Sequence, residues 1–301
     1  MHPFTRIPTL LLCFAMTFAI SPAQAATAYE DKFLDASGVK IRYIDAGKGE
    51  AIVLLHGGTS RLESWITPGV VDNLAKDFRV IAFDARGHGK SDSPREPSAY
   101  GRQQALDVVR ILDALKISKA HIIGFSLGSS TVAQLLTLHP ERFLTGVQVA
   151  GAGRSPEEAN DPRIETEAAE IARDCISRSR VMRQAPAGMK PTEEDIQQRI
   201  AACRADRTFD PLAVAASLRG YKDQAVTAEQ MAAVKVPTLG IVGTLDHTLK
   251  AMQLLKTLRP AMKLVLLEGI SHTGKTGIQG TPALVSEIRA FIAEQRQAKT
   301  Y

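Results

Sequence analysis

A serine, a histidine and an acid suffice to cleave an acyl bond when each reaches the next. Ser126 sits in Gly124-Phe125-Ser126-Leu127-Gly128, directly after an apolar run at 120–123 and directly before a helical pattern. A serine on such a strand-to-helix turn takes a strained backbone conformation, and the flanking glycines leave room for neighbouring chain to pass. The helix N-terminus then faces any negative charge that develops beside the hydroxyl. The pentapeptide alone carries little weight, because three fixed positions recur by chance in roughly one chain in ten of this length. Its surroundings decide.

A serine hydroxyl needs a base, and the base needs a partner that holds its tautomer. His272 ends Glu268-Gly269-Ile270-Ser271-His272, after a strand pattern at 263–267, and Asp246 ends Gly243-Thr244-Leu245-Asp246, after one at 238–242. Both fall just past the carboxyl end of a strand, on the rim that carries Ser126, and the order serine, aspartate, histidine is the one such an arrangement requires. The tetrahedral intermediate also needs two backbone N–H donors. Leu127 supplies one. His56-Gly57-Gly58-Thr59 is the source of the other, with Gly58 the first choice and Thr59 the second, and Gly57 and Gly58 permit the close approach and positive φ of such a turn.

Other residues have weaker claims. Phe125, Thr59 and His247 are candidate pocket residues by position, and Trp65 is either buried against the oxyanion loop or part of the pocket wall. His56 and His88 are read as holding loop shape, Asp84 as bracing the turn at 86–89, and His121 and His139 as structural. Asp161 replaces Asp246 only if its segment folds back on His272. No cluster has metal-ligand spacing and no G-x-G-x-x-G follows a strand, so neither a metal nor a nucleotide cofactor is expected.

These residues need a scaffold. Short apolar runs at 41–45, 51–55, 79–83, 121–125 and 146–150 alternate with helical patterns at 65–76, 100–115 and 127–139, which indicates a mostly parallel twisted sheet with helices on both faces. The first two runs are close enough to pair as an antiparallel start. Residues 154–234 carry three or four amphipathic helical patterns, including 164–179 and 192–205, and no convincing strand. Strand patterns then return at 238–242 and 263–267, with helical ones at 248–258 and 281–297. A helical block inside an alternating pattern reads as a lid over the carboxyl ends of the strands, where such sheets bind ligands. The domains are therefore a core of 26–153 and 235–301 with a lid of 154–234.

The chain has 301 residues, 45% of them hydrophobic, and a net charge of +5. Its N-terminus carries Arg6, an apolar stretch at 10–20 and small residues up to Ala25, the pattern of a secretory leader spanning 1–25. The apolar stretch is too short for a stable membrane anchor. An exported chain, periplasmic or secreted, matures in an oxidising compartment, where Cys175 and Cys203 either form a disulfide or remain two small apolar residues. Basic residues are scattered, which gives nucleic-acid binding no support. Nothing in the sequence sets an oligomeric state.

Leu54-Leu55-His56-Gly57-Gly58, Asp84-Ala85-Arg86-Gly87-His88-Gly89-Lys90-Ser91-Asp92, the serine pentapeptide, Asp246 and His272 together resemble the α/β-hydrolase superfamily, in its serine-nucleophile, lid-containing, esterase-like form. The resemblance runs over 40–297 except the lid, and implies a helical lid inserted after the sixth strand. It also implies a serine hydrolase acting through an acyl-enzyme. Ser126 would attack, His272 would carry the proton, Asp246 would orient His272, and Gly58 with Leu127 would hold the oxyanion. Ser129 departs from the pattern, standing where many relatives have glycine. The expected substrate is a small or medium carboxylic ester, lactones included. Carbon–carbon bond hydrolysis and perhydrolysis use the same triad, and a non-catalytic ligand receptor is the alternative of another class.

Overall fold

The computed structural model describes residues 28–185 and 188–298, and the leader expected at 1–25 lies outside the described residues. Among the described residues one sheet holds eight strands: β1 (Lys32–Asp35), β2 (Lys40–Ala46), β3 (Ala51–Leu55), β4 (Arg79–Phe83), β5 (Ala120–Phe125), β6 (Phe143–Val149), β7 (Thr238–Gly243) and β8 (Lys263–Leu267). Their spatial order is β1-β2-β4-β3-β5-β6-β7-β8. β2 is antiparallel to β1 and β4, and the other pairs are parallel. All five residues of β3 are buried, as the centre of a sheet covered on both faces requires.

The expected pairing of the first two runs is corrected. β2 lies against β4, with Tyr43 opposite Phe83, while β3 lies between β4 and β5. The link at 47–50 runs across the start of β4, where Gly47 rides against the carbonyls of Phe78 and Ala75 with φ 76°. A side chain there would strike backbone, so glycine lets β2 and β3 be neighbours in sequence without being neighbours in space. β1 gave no usable signal because it has four residues, two of them exposed.

Side chains alternate across the sheet and build two cores. Ile52, Leu54 and Ile123 face a layer made by α1 (Glu63–Ile66), α2 (Val70–Leu74) and α12 (Pro282–Gln297). Val53, Leu55 and Ile122 face α3 (Arg102–Ala114) and α4 (Leu127–Leu138). Each such leucine, isoleucine or valine contributes roughly 1.5–3 kcal/mol by leaving water. Gly69, at φ 76°, splits the helical pattern expected at 65–76 into α1 and α2.

Between β6 and β7 the described residues form six α-helices: α5 (Pro156–Ala159), α6 (Arg163–Asp174), α7 (Arg178–Gln184), α8 (Glu193–Ala205), α9 (Pro211–Arg219) and α10 (Ala228–Ala233). That exceeds the three or four patterns expected. The pattern at 164–179 breaks at Cys175, whose φ is 71°, and Ser177 caps the helix that restarts. α9 gave little amphipathic signal because its residues from Ala213 to Leu218 are all buried. Cys175 and Cys203 are disulfide-bonded, with Cα atoms 6.1 Å apart, which ties the end of α6 to α8. Val214, Leu218, Ile171 and Tyr221 pack on Leu127, so the insertion rests directly on the residue after Ser126. α11 (Leu249–Leu258) follows β7 and packs with Met231 of α10.

Candidate active site

β5 enters α4 through Ser126, at φ 53° and ψ −109°. A side chain at Gly124 would collide with the backbone of Gly128, and one at Gly128 with the carbonyls of Leu55 and His56. The two glycines therefore let β5, α4 and the end of β3 converge under the serine. Ser126 N–H donates to the Val149 carbonyl at 2.9 Å, which fastens the turn to β6. The departure at Ser129 has a structural use. Its buried hydroxyl lies 2.6 Å from the Gly124 carbonyl and 3.0 Å from that of Val149, holding the same junction from below.

Asp246 and His272 meet because β7 and β8 are neighbours whose exit loops are bonded together. Thr244 and Leu245 N–H donate to the carbonyls of Leu267 and Ile270, each at 3.0 Å, and Gly243 packs so closely on Ile270 that a side chain would not fit. The result is a continuous relay. Nδ1 of His272 lies 2.9 Å and 3.1 Å from Oδ2 and Oδ1 of Asp246, and its Nε2 lies 3.0 Å from Oγ of Ser126. An ionised carboxylate only accepts, so Nδ1 carries the proton and Nε2 offers its lone pair to the serine. Asp246 is buried. Burial opposes its charge, but the hydrogen bond and electrostatic attraction of His272, with the donors of Thr248, hold its carboxyl below the ordinary aspartate value.

Thr248 was not singled out in the sequence. Its N–H and its hydroxyl each donate to Oδ1 of Asp246 at 2.8 Å, fixing the carboxylate plane. An aspartate followed two residues later by threonine is a readable turn signal.

Leu127 N–H is the first of α4 and has no partner within the helix. Among the described residues neither it nor Gly58 N–H enters a loop hydrogen bond. A Cβ at Gly58 would lie 3.7 Å from the Leu127 side chain, which places both on one side of the serine turn. The glycine expectation needs correction in detail. Gly57 makes the close approach, against the Phe125 ring, whereas the positive φ falls on Thr59, at 58°. His56 holds this loop: its Nδ1 lies 2.7 Å from the Gly57 carbonyl and its Nε2 accepts the Ala85 N–H at 3.0 Å. Asp84 accepts from Leu62 and Lys90 N–H at 2.7 and 2.9 Å, bracing the turn that contains His88. Burial lowers the His56 pKa, and takes that of His88 down to about 4, so both imidazoles are neutral near pH 7.

The pocket candidates divide. Trp65 is 0% exposed and belongs to the core beneath α1, so it is not part of a pocket wall. Phe125 is buried with its ring 4.9 Å from that of His272. His247 also packs on His272, at 4.4 Å, 3.6 Å from Oδ1 of Asp246, and its pKa is lowered to about 4 by burial first and then by the nearby His272. The structure thus gathers Asp246, His247 and His272 into one cluster with metal-capable atoms, which residue spacing did not suggest. Asp161 is engaged by Arg163 and forms no contact with His272 among the described residues. A cavity of about 330 Å³ opens beside the 56–59 loop, lined by Thr59, Arg61, Glu63, His88, Asp206 and Phe209 among others. No helix among the described residues is long and apolar enough to cross a membrane.

Comparison with known proteins follows the same lines. Over 137 residues the chain is 34% identical to the 2-hydroxy-6-oxo-6-(2'-aminophenyl)hexa-2,4-dienoic acid hydrolase of Metapseudomonas resinovorans, covering 43% of this chain and 45% of that protein. It is 37% identical over 130 residues to the dihydrolipoyllysine-residue acetyltransferase component of the acetoin cleaving system of Cupriavidus necator, covering 43% and 33%. The chain thus spans less than half the length of these relatives. Among solved structures, Est816, an N-acyl homoserine lactone degrading enzyme, superposes with a TM-score of 0.68 at 25% identity, over 86% of this chain and all of that one. The enol-lactonase of Burkholderia xenovorans shares the fold, with a TM-score of 0.67 at 24% identity over 87% of this chain and 100% of that one. Residues 50–274, most of the chain, match the family model of the alpha/beta hydrolase fold, and the chain belongs to that family.

Proposed function

We propose that this protein is a serine hydrolase that cleaves a carboxylic ester, lactones included, through an acyl-enzyme on Ser126. The unbroken relay from Asp246 through His272 to Ser126 carries this reading. As Ser126 Oγ adds to the carbonyl carbon, its proton passes to Nε2 of His272, and Asp246 balances the imidazolium. The carbonyl oxygen takes the electron pair and is held by the N–H groups of Gly58 and Leu127 at the head of α4. Collapse expels the alkoxide, which takes the proton from Nε2. Water then repeats the sequence on the acyl-enzyme and releases the acid. The insertion acts as the lid, since its apolar core rests on Leu127. Export of the chain is supported by the disulfide, which forms and persists in oxidising compartments.

A second reading is carbon–carbon bond hydrolysis of dienoic ketones. It is favoured by the dienoic acid and dienoate hydrolases among the relatives, 34–36% identical over 35–43% of the chain. One experiment separates the two. Nitrophenyl esters of increasing acyl length, a lactone and a dienoic ketone are assayed with the wild type and Ser126→Ala. Ester or lactone turnover that vanishes in the alanine variant supports the first reading, and turnover of the ketone alone supports the second. Full hydrolysis by Ser126→Ala contradicts both.

A further inference from the structure

We propose that Asp246, His247 and His272 form a binding site for a divalent transition ion of the zinc type, and that an ion there silences Ser126. The second half rests on the function proposed above, and the first does not. A carboxylate oxygen of Asp246 and one nitrogen of each histidine lie within 4.8 Å of one another. Zinc bound tetrahedrally at about 2.0–2.1 Å from each donor needs donors about 3.3–3.4 Å apart. Nδ1 of His272 is 3.1 Å from Oδ1 of Asp246, and Nδ1 of His247 is 3.6 Å from the same atom. Both distances straddle the required edge. The two imidazoles lie 4.4 Å apart with their planes inclined at 53°, and binding turns one nitrogen of each toward the same ion.

The surroundings suit such an ion. Thr248 holds the carboxylate through two hydrogen bonds to Oδ1, so an ion bound at that oxygen displaces the Thr248 hydroxyl and keeps its N–H as the outer partner. His247 is 28% exposed at its side chain, which gives an approach from solvent. Arg180 and Arg183, whose charges reach His247, share the single carboxylate of Glu167, which offsets one of the two. Two imidazoles and one carboxylate favour zinc, copper or nickel over magnesium or calcium.

Binding changes the tautomer of His272. The ion takes the lone pair of Nδ1, and the proton that Nδ1 held toward Asp246 moves to Nε2, with no net proton released. Nε2 then donates to Ser126 instead of accepting from it, and the serine keeps its proton. His247 supplies the third ligand and plays no part in this step beyond holding the ion.

The test is a calorimetric titration of zinc chloride into the wild type, Ser126→Ala, His247→Gln and His247→Cys, with ester hydrolysis followed alongside and circular dichroism verifying each fold. One ion per chain should bind to the wild type and to Ser126→Ala. Affinity should fall at least about tenfold in His247→Gln and recover in His247→Cys, which restores a zinc ligand. Hydrolysis should be inhibited in step with occupancy and recover with a chelator. No binding to the wild type, or equal binding to a folded His247→Gln, overturns the site. His247-dependent binding that leaves ester hydrolysis untouched overturns the coordination of His272 and the silencing of Ser126.

Discussion

Asp246→Asn tests how the acid orients the base, because the structure dictates which way the new amide must point. Oδ1 receives two hydrogen bonds from Thr248, each at 2.8 Å, and must remain an oxygen. The NH2 group therefore replaces Oδ2, 2.9 Å from Nδ1 of His272. Two donors cannot face each other at that distance, and Oδ1, 3.1 Å from Nδ1, is already taken by both Thr248 donors, so His272 shifts its proton to Nε2 and turns a donor toward Ser126. The base is lost while the shape is kept. Loss of the correct tautomer costs about 10³–10⁴ in kcat, or about 4–5.5 kcal/mol of transition-state stabilisation. Steady-state hydrolysis of nitrophenyl acetate measures the loss, and thermal unfolding should show the variant folded to within a few degrees of the wild type. A folded variant that keeps more than a tenth of the wild-type kcat would refute the tautomer argument.

Gly128→Ala should abolish both soluble expression and activity, since its Cβ meets the carbonyls of Leu55 and His56, whereas Gly58→Ala should fold, its nearest neighbour being 3.7 Å away. Paired expression trials and melting curves compare them. Opening the disulfide with Cys175→Ser and Cys203→Ser should destabilise the protein by about 3–4 kcal/mol from loop entropy over its separation of 28 residues. Urea unfolding measures it, and most of the loss should fall on the insertion. Acid should weaken the fold through His88, whose folded pKa of about 4 lies below its unfolded value, so its contribution is complete above about pH 6.5 and fades as the pH falls toward 4. From pH 7.5 to 5 the linkage amounts to about 2 kcal/mol, and a urea series should show a smaller decline in His88→Asn, which keeps a donor for the Arg86 carbonyl at 3.1 Å.

The residues that make the site were readable because each follows a short apolar run that forms a strand, β5 and β7 fully buried and β8 partly so. In a parallel sheet, strand ends share one rim, so a serine, an acid and a histidine placed after three such runs must come together. Reading stopped where tertiary contact decides. β2 pairs with β4 because the 47–50 link crosses β4, a detour that neighbouring runs in sequence conceal. α9 is buried from Ala213 to Leu218 and so lacks the polar stripe that marks an amphipathic helix. Thr59, not a glycine, takes the positive φ of the 56–59 turn, which His56 holds through the Gly57 carbonyl and the Ala85 N–H. The approach of His247 to His272, 25 positions apart in sequence, depends on the bonding between the β7 and β8 loops, which no spacing rule encodes.

An activated Ser126 reacts with a fluorophosphonate, and intact-mass analysis after that exposure should find one adduct per chain, mapped to the peptide holding Ser126, formed by the wild type and absent from Ser126→Ala. A folded wild-type protein that takes no adduct, or takes it on another residue while hydrolysing esters, would contradict the activation of Ser126.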